Sequence, residues 1–214
     1  MKKTLISVLT LAIVAASLPI TALAADHSDP VTRFNGERLK YNTPYYLKDK
    51  NLPHKGGVTF ETWALYDYVL FADSFTDNGT PIIFENEDRT DGFIKSQDKI
   101  RIKTTKANAG EYWTFTSGGF INSVSLSDDN NKKYRIYGSS EDNSIGIGFY
   151  ITKPMTVGFG GLGSLDYPGL CFVEYKGTDA KKAWMEPIEH NLDNKEEIPF
   201  NNIQTPFEII EVNE

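Results

Sequence analysis

Punctuation constrains this chain most. From residue 31 onward, clusters of Gly, Asn, Asp and Pro recur roughly every eight to twelve residues, with short segments of alternating character between them. Lys99–Lys103 reads KIRIK, which sets Ile100 and Ile102 on one face. Glu111–Thr116 reads EYWTFT, which does the same for Trp113 and Phe115. Beyond one helical turn expected at Asp179–Trp184, no stretch keeps the period of an amphipathic helix. Short segments of period two must each bury one face, so an all-β barrel or sandwich is expected.

Strands are expected at Val58–Trp63, Asp67–Ala72, Pro81–Glu85, Lys99–Lys103, Glu111–Thr116, Phe120–Leu126, Tyr134–Tyr137, Ile145–Ile151, Met155–Gly158, Leu170–Tyr175 and Pro206–Val212. Asp67–Ala72 is apolar on both faces and is expected to be central. The glycine run Gly158–Gly163 reads as a flexible loop, and Pro187–Pro199 as a polar segment without period. Weak pseudo-repeats fall at residues 31–90, 91–140 and 141–214.

The first residues are of another kind. Met1-Lys2-Lys3-Thr4 is followed by a largely apolar run from Leu5 to Ala16, then by Ala22-Leu23-Ala24. A basic start, a short apolar core and an A-x-A site form a secretory signal peptide of bacterial type, with cleavage expected after Ala24 or Ala25. The run is too short to span a bilayer. The organisation expected is therefore a signal peptide over 1–24 and a single domain over 25–214, exported as a secreted, extracellular monomer.

Cleavage would leave 20 basic against 29 acidic residues, a formal charge of about −9. Such a surface repels phosphate backbones and anionic lipid, which argues against nucleic-acid partners. The chain holds one cysteine, Cys171, in the apolar run Gly-Leu-Cys-Phe-Val, so no intrachain disulfide can form. A secreted domain without disulfides must be held by its core, and Cys171 reads as a small buried hydrophobe.

The segment Val31–Leu47, VTRFNGERLKYNTPYYL, joins two short strands around the turn dipeptide Asn35-Gly36. With Val31, Asn35, Gly36, Leu39, Tyr45 and Leu47 it resembles the opening signature of β-trefoil inhibitors of the soybean (Kunitz) type. It departs at Arg33, where that family has Asp, and the chain lacks the two disulfides usual in the plant inhibitors. The resemblance implies a β-trefoil, three copies of a four-strand unit; a jelly-roll or other β-sandwich is the alternative.

No catalytic constellation is announced, and the chain is expected not to be an enzyme. His27, His54 and His190 have no metal-ligand spacing, and no nucleophile elbow, phosphate loop or dinucleotide fingerprint is present. Neither a cofactor nor a metal is expected. The carboxylates Glu85/Glu87/Asp88/Asp91, Asp128/Asp129 and Glu141/Asp142 cluster in turns, where such side chains bond the local backbone.

Two binding readings follow. The resemblance implies protease inhibition by an exposed loop held in substrate-like form. The matching stretch is Glu85–Gly92, with Asp88, Arg89 and Thr90 at its centre and Arg89-Thr90 as the scissile-like bond, which implies a trypsin-like protease as partner. The family braces this loop with an Asn two residues after the signature Leu; that position here is Tyr41, so support falls to Asn42 one step on. The alternative is a carbohydrate- or receptor-binding trefoil, free-standing or toxin-associated, that engages a cell-surface glycan or receptor. Of the aromatic residues near loops (Trp63, Tyr66, Tyr112, Tyr137, Tyr167, Trp184), Trp63 and Trp184 are the expected glycan platform. The Gln-x-Trp signature of ricin-type trefoils is absent.

Overall fold

A computed structural model describes residues 30–63, 66–89, 92–105, 110–116, 123–131, 133–138, 143–157, 161–176, 182–190, 203 and 205–213. Residues 1–29, where the signal peptide is expected, and Thr90 and Asp91 lie outside these residues, as do the side chains of 150–171, Cys171 among them.

Twelve strands follow one another: β1 Pro44–Asp49, β2 Val58–Trp63, β3 Tyr66–Phe71, β4 Ile82–Glu85, β5 Lys99–Thr104, β6 Tyr112–Thr116, β7 Ser123–Ser127, β8 Tyr134–Gly138, β9 Ile145–Val157, β10 Gly161–Lys176, β11 Trp184–His190 and β12 Phe207–Glu211. All belong to one antiparallel sheet. β5, β4, β1, β12, β9 and β8 are neighbours in that order, and a further pairing of β5 with β8 (Lys99↔Arg135, Ile100↔Tyr134) closes them into a ring. Closure leaves these six strands no free edge.

The other six strands form three hairpin pairs, β2–β3, β6–β7 and β10–β11. β3 also pairs with β7 and β11, so it is central, as expected for Asp67–Ala72. Each unit of four consecutive strands thus gives its first and fourth to the ring and its second and third to a hairpin. The units fall inside the pseudo-repeat boundaries read from the sequence, β1–β4 within 31–90, β5–β8 within 91–140 and β9–β12 within 141–214. This arrangement is consistent with a three-copy, four-strand architecture.

Alternation fills the ring. Tyr45 and Leu47 of β1, Ile82 and Phe84 of β4, Ile100 and Ile102 of β5, Tyr134 and Ile136 of β8, Ile145 and Ile147 of β9, and Phe207 and Ile209 of β12 are all buried. Each such side chain removed from water contributes about 1.5–3 kcal/mol. Gly36 takes φ 80° at the expected Asn35-Gly36 turn, which Arg33 closes by accepting the Gly36 N–H at 2.8 Å. Gly57, before β2, has no room for a side chain, because a Cβ there would collide with the Asn78 carbonyl oxygen.

Three expectations fail locally. Ile145–Ile151 and the described part of Met155–Gly158 fall in one strand, β9, which ends at Val157, and the glycine run is not all loop, since Gly161 already pairs with Val157. The helical turn expected at Asp179–Trp184 does not extend to its end, where Trp184 opens β11. Pro187–Pro199 is not without structure throughout, because β11 runs to His190, with Pro187 opposite Val173. In each case strand pairing overrides a weak local pattern.

Candidate binding surfaces

The first surface is the loop from β4 to β5. Its second half is stitched to the segment before β1. Tyr41 N–H donates to Gly92 O (3.3 Å), Ile94 N–H to Leu39 O (2.9 Å) and Val31 N–H to Ile94 O (2.8 Å), with further bridges at Pro30↔Lys95 and Lys40↔Phe93. The described residues of the first half are tied through side chains. Asn86 donates its amide to Lys99 O (2.8 Å) and accepts the Asp88 N–H (2.8 Å), a local Asx turn. Asp88 and Arg89 stand exposed on this half.

Arg89, 49% exposed, has its Nη1 3.6 Å from Asp98 Oδ2. Glu87 turns away to Arg101 (3.2 Å) and Lys133 (2.6 Å), and the Lys133 bond holds its carboxyl below the usual range. Arg89 thus pairs with Asp98 at the far end of the loop.

The support expected from Asn42 is partly a matter of backbone. Asn42 adopts φ 56°, a left-handed conformation Asn tolerates, and its N–H donates to Phe84 O (3.0 Å), closing the end of β4. The side chain that reaches the loop with its hydroxyl is Tyr41. It is buried, and its hydroxyl donates to Asp98 Oδ2 at 2.6 Å. Burial, and then the Asp98 carboxylate, push the Tyr41 hydroxyl well above its ordinary pKa, so it remains a donor at any physiological pH. Tyr41 stands at the position where the resemblance calls for a brace.

The second surface is a sheet face. Across the β2–β3 hairpin, Trp63 faces Tyr66 and Glu61 faces Tyr68, while Trp184 of β11 faces Leu70 of β3. Residues directly opposite, and residues two apart, point the same way, so Glu61, Trp63, Tyr66, Tyr68 and Trp184 share one face. Phe60, Val69 and Phe71 point inward to the core. The rings touch in a chain: Trp63–Tyr68 at 5.7 Å between centroids, Tyr68–Trp184 at 5.9 Å, Tyr66–Tyr68 at 6.4 Å and Trp63–Trp184 at 6.5 Å. Lys182 pairs with Glu61 and lies 5.8 Å from the Trp184 ring centre. Trp63 and Tyr66 remain 55% and 57% exposed, an unusual cost for rings of this size.

The structure brings Trp63 and Trp184 together and adds Tyr68 from the central strand β3. Tyr137 is buried against Phe172 (5.2 Å), and Tyr112 sits between Arg101 and Lys103, so neither joins the cluster. Among the described residues no group of three or more His, Cys, Asp or Glu is placed to hold a metal. His54 is exposed in the loop after β1.

No protein-family model matches the chain. In sequence it is similar to botulinum neurotoxin type X of Clostridium botulinum, 28% identical over 121 residues that make up 50% of this chain and 8% of the toxin. The chain therefore spans under a tenth of that relative's length. In structure it is similar to trypsin inhibitor 1 from Senna obtusifolia (TM-score 0.61, 17% identity, 87% of this chain and 100% of that one). Soybean trypsin inhibitor matches with a TM-score of 0.58 and 12% identity, over 86% of this chain and 100% of that one. The binding domain of botulinum neurotoxin serotype D gives 0.55 and 11%, over 86% of this chain and 45% of that one. At such identities the likeness is one of fold.

Proposed function

We propose that this chain is a secreted, single-domain β-trefoil that acts by binding a protein or glycan partner, without catalysis, after loss of the signal peptide over 1–24. The reading we put first is protease inhibition through the β4–β5 loop, with Arg89 entering the specificity pocket of a trypsin-like enzyme. One observation carries it: Arg89 stands half exposed on a loop whose other half is stitched to the body of the fold. Such an element meets its ordering cost before it binds. The fold it shares with two plant trypsin inhibitors supports the reading. Asp88 and Thr90 would flank the contact, and Asn42 would support it from below.

The test is titration of trypsin-, subtilisin- and papain-like proteases with the mature protein and its Arg89→Ala variant. Tight inhibition of a trypsin-like enzyme, lost in the folded variant, is expected. An unchanged inhibition constant would remove the loop from the reading.

A second reading is favoured by the aromatic face. Trp63 and Trp184, joined by Tyr66 and Tyr68, would stack on a cell-surface glycan or receptor, and the similarity to a neurotoxin and to a toxin binding domain supports it. Retention on a glycan array that disappears in folded Trp63→Ala or Trp184→Ala is the expected result. Retention that survives both substitutions would discard this face as the contact.

A further inference from the structure

The β4–β5 loop contains a carboxylate whose bonds are unevenly shared. Oδ2 of Asp98 accepts the Tyr41 hydroxyl at 2.6 Å and the Lys95 N–H at 2.8 Å. Asp98 N–H returns a bond to Lys95 O at 3.1 Å, and Gln97, at φ 66°, donates its N–H to Ile136 O at 2.6 Å. The carboxylate is thus fixed by two short hydrogen bonds and set on a turn anchored to β8. The Arg89 guanidinium stands 3.6 Å from that same oxygen, outside hydrogen-bond range. Arg89 is held by charge alone, and a half-exposed pair of this kind is weak and easily exchanged.

We infer that Asp98, anchored by Tyr41, is the positioning residue of the Arg89 loop. It faces Arg89 from across the base of the loop and steers the arginine without a hydrogen bond to it. This rests on the reading of the loop as the inhibitory contact. A fixed carboxylate gives Arg89 one resting place at the loop base, and the half-exposed arginine can pass from it to a carboxylate on a partner without giving up a hydrogen bond. The anchor also gives a role to a large buried hydroxyl at position 41: a phenyl ring there would fill the space, but it would leave Asp98 Oδ2 with the Lys95 N–H alone.

A loop held in this way resists cleavage, and one released from it becomes a substrate. The experiment is timed digestion by trypsin, read by mass spectrometry as the rate of cutting after Arg89 relative to cutting after Lys50, an exposed site in the loop following β1. General loosening of the fold would raise both rates together. Tyr41→Phe removes the anchor, whereas Asp98→Asn keeps an acceptor oxygen and removes the charge. Each is expected to raise the ratio about tenfold, and the double variant should go no further than the faster single, because both break one link.

An unchanged ratio in the folded single variants, or fully multiplicative effects in the double, would overturn the inference. Should Tyr41→Phe fail to fold, Asp98→Asn carries the same test. Inhibition by the wild-type protein is measured separately. A ratio that rises in a protein that inhibits nothing would leave the positioning role standing and remove the inhibitory reading. Tight inhibition unaltered by Tyr41→Phe, with an unchanged ratio, would do the reverse.

Discussion

The β4–β5 loop and the aromatic face of β2, β3 and β11 offer contacts in opposite ways. The loop is shaped by backbone: one half is stitched to residues 30–41, and a single arginine projects from the other. The aromatic face is shaped by side chains set in order by strand register, four rings with a Lys–Glu pair at the edge. A backbone-shaped contact depends on the conformation of one short stretch, so one substitution can remove it. A side-chain-shaped contact is shared, so each ring should account for only part of it.

That contrast sets the order of expected effects, and Arg89→Ala comes first. A single charged anchor that fills a specificity pocket dominates such an interface, so inhibition should weaken on the order of a thousandfold. Glycan retention should not move. A loss in both assays from this one change would break the division between the two surfaces.

Asp49 comes next and belongs to neither surface. It ends β1 inside the barrel, 4% exposed; Oδ1 accepts the Asn51 N–H, and Oδ2 has no hydrogen-bond partner among the described residues. Burial raises its pKa from 3.8 to about 6, with the like charges of Glu174 and Glu208 adding to the rise. A raised carboxyl favours the folded state while protonated. Its contribution is therefore fully present below the unfolded pKa and is lost as pH climbs from about 4 to about 6, by about 3 kcal/mol at most. Asp49→Asn should melt above wild type at pH 7 and lose that advantage near pH 4, as read by thermal denaturation. Both binding activities at neutral pH should be unaltered, since the change acts only on the scaffold they share. A melting temperature unchanged at pH 7 would refute the assignment.

Trp184→Ala is expected to act on a smaller scale. Trp184 packs against both Trp63 and Tyr68, and ring pairs of this kind are worth about 0.5–1.5 kcal/mol each beyond their buried area. Glycan retention should fall about tenfold and stability by about 1–2 kcal/mol, with inhibition unchanged. Equal losses from Trp63→Ala and Trp184→Ala would mark a shared platform, whereas loss from Trp63 alone would reduce it to one ring.

What could be read from the sequence follows the same division between local and distant causes. Val58–Trp63 is a strand over the residues expected, and Asn35-Gly36 turns as its chemistry requires, because both are set by their own neighbours. Arg89 was visible as the one basic residue of an acidic loop. Its pairing with Asp98 was not, since the hydroxyl that fixes Asp98 comes from Tyr41, 57 positions earlier. Tyr68 alternates with Val69 like any strand residue, and only the pairing of β3 with β11 brings it between two tryptophans. β11 was obscured by Pro187 and its charges, which taken alone argue against a strand.

Salt should separate the two surfaces with the smallest effect. Arg89 is 49% exposed, and its distance from Asp98, 3.6 Å, leaves the interaction purely ionic. At 0.5 M salt the screening length falls to about 4–5 Å, so both the steering by Asp98 and the attraction to a partner's carboxylate weaken. Inhibition should loosen about two- to fivefold between 0.05 and 0.5 M, chiefly through a slower association rate. Stacking on the aromatic face removes apolar surface from water, which added salt does not weaken, so glycan retention should hold steady. The Lys182–Glu61 pair lies at the edge of that face, beside the rings. If retention falls with salt as steeply as inhibition does, Lys182 is a primary contact, and the platform binds by charge as the loop does.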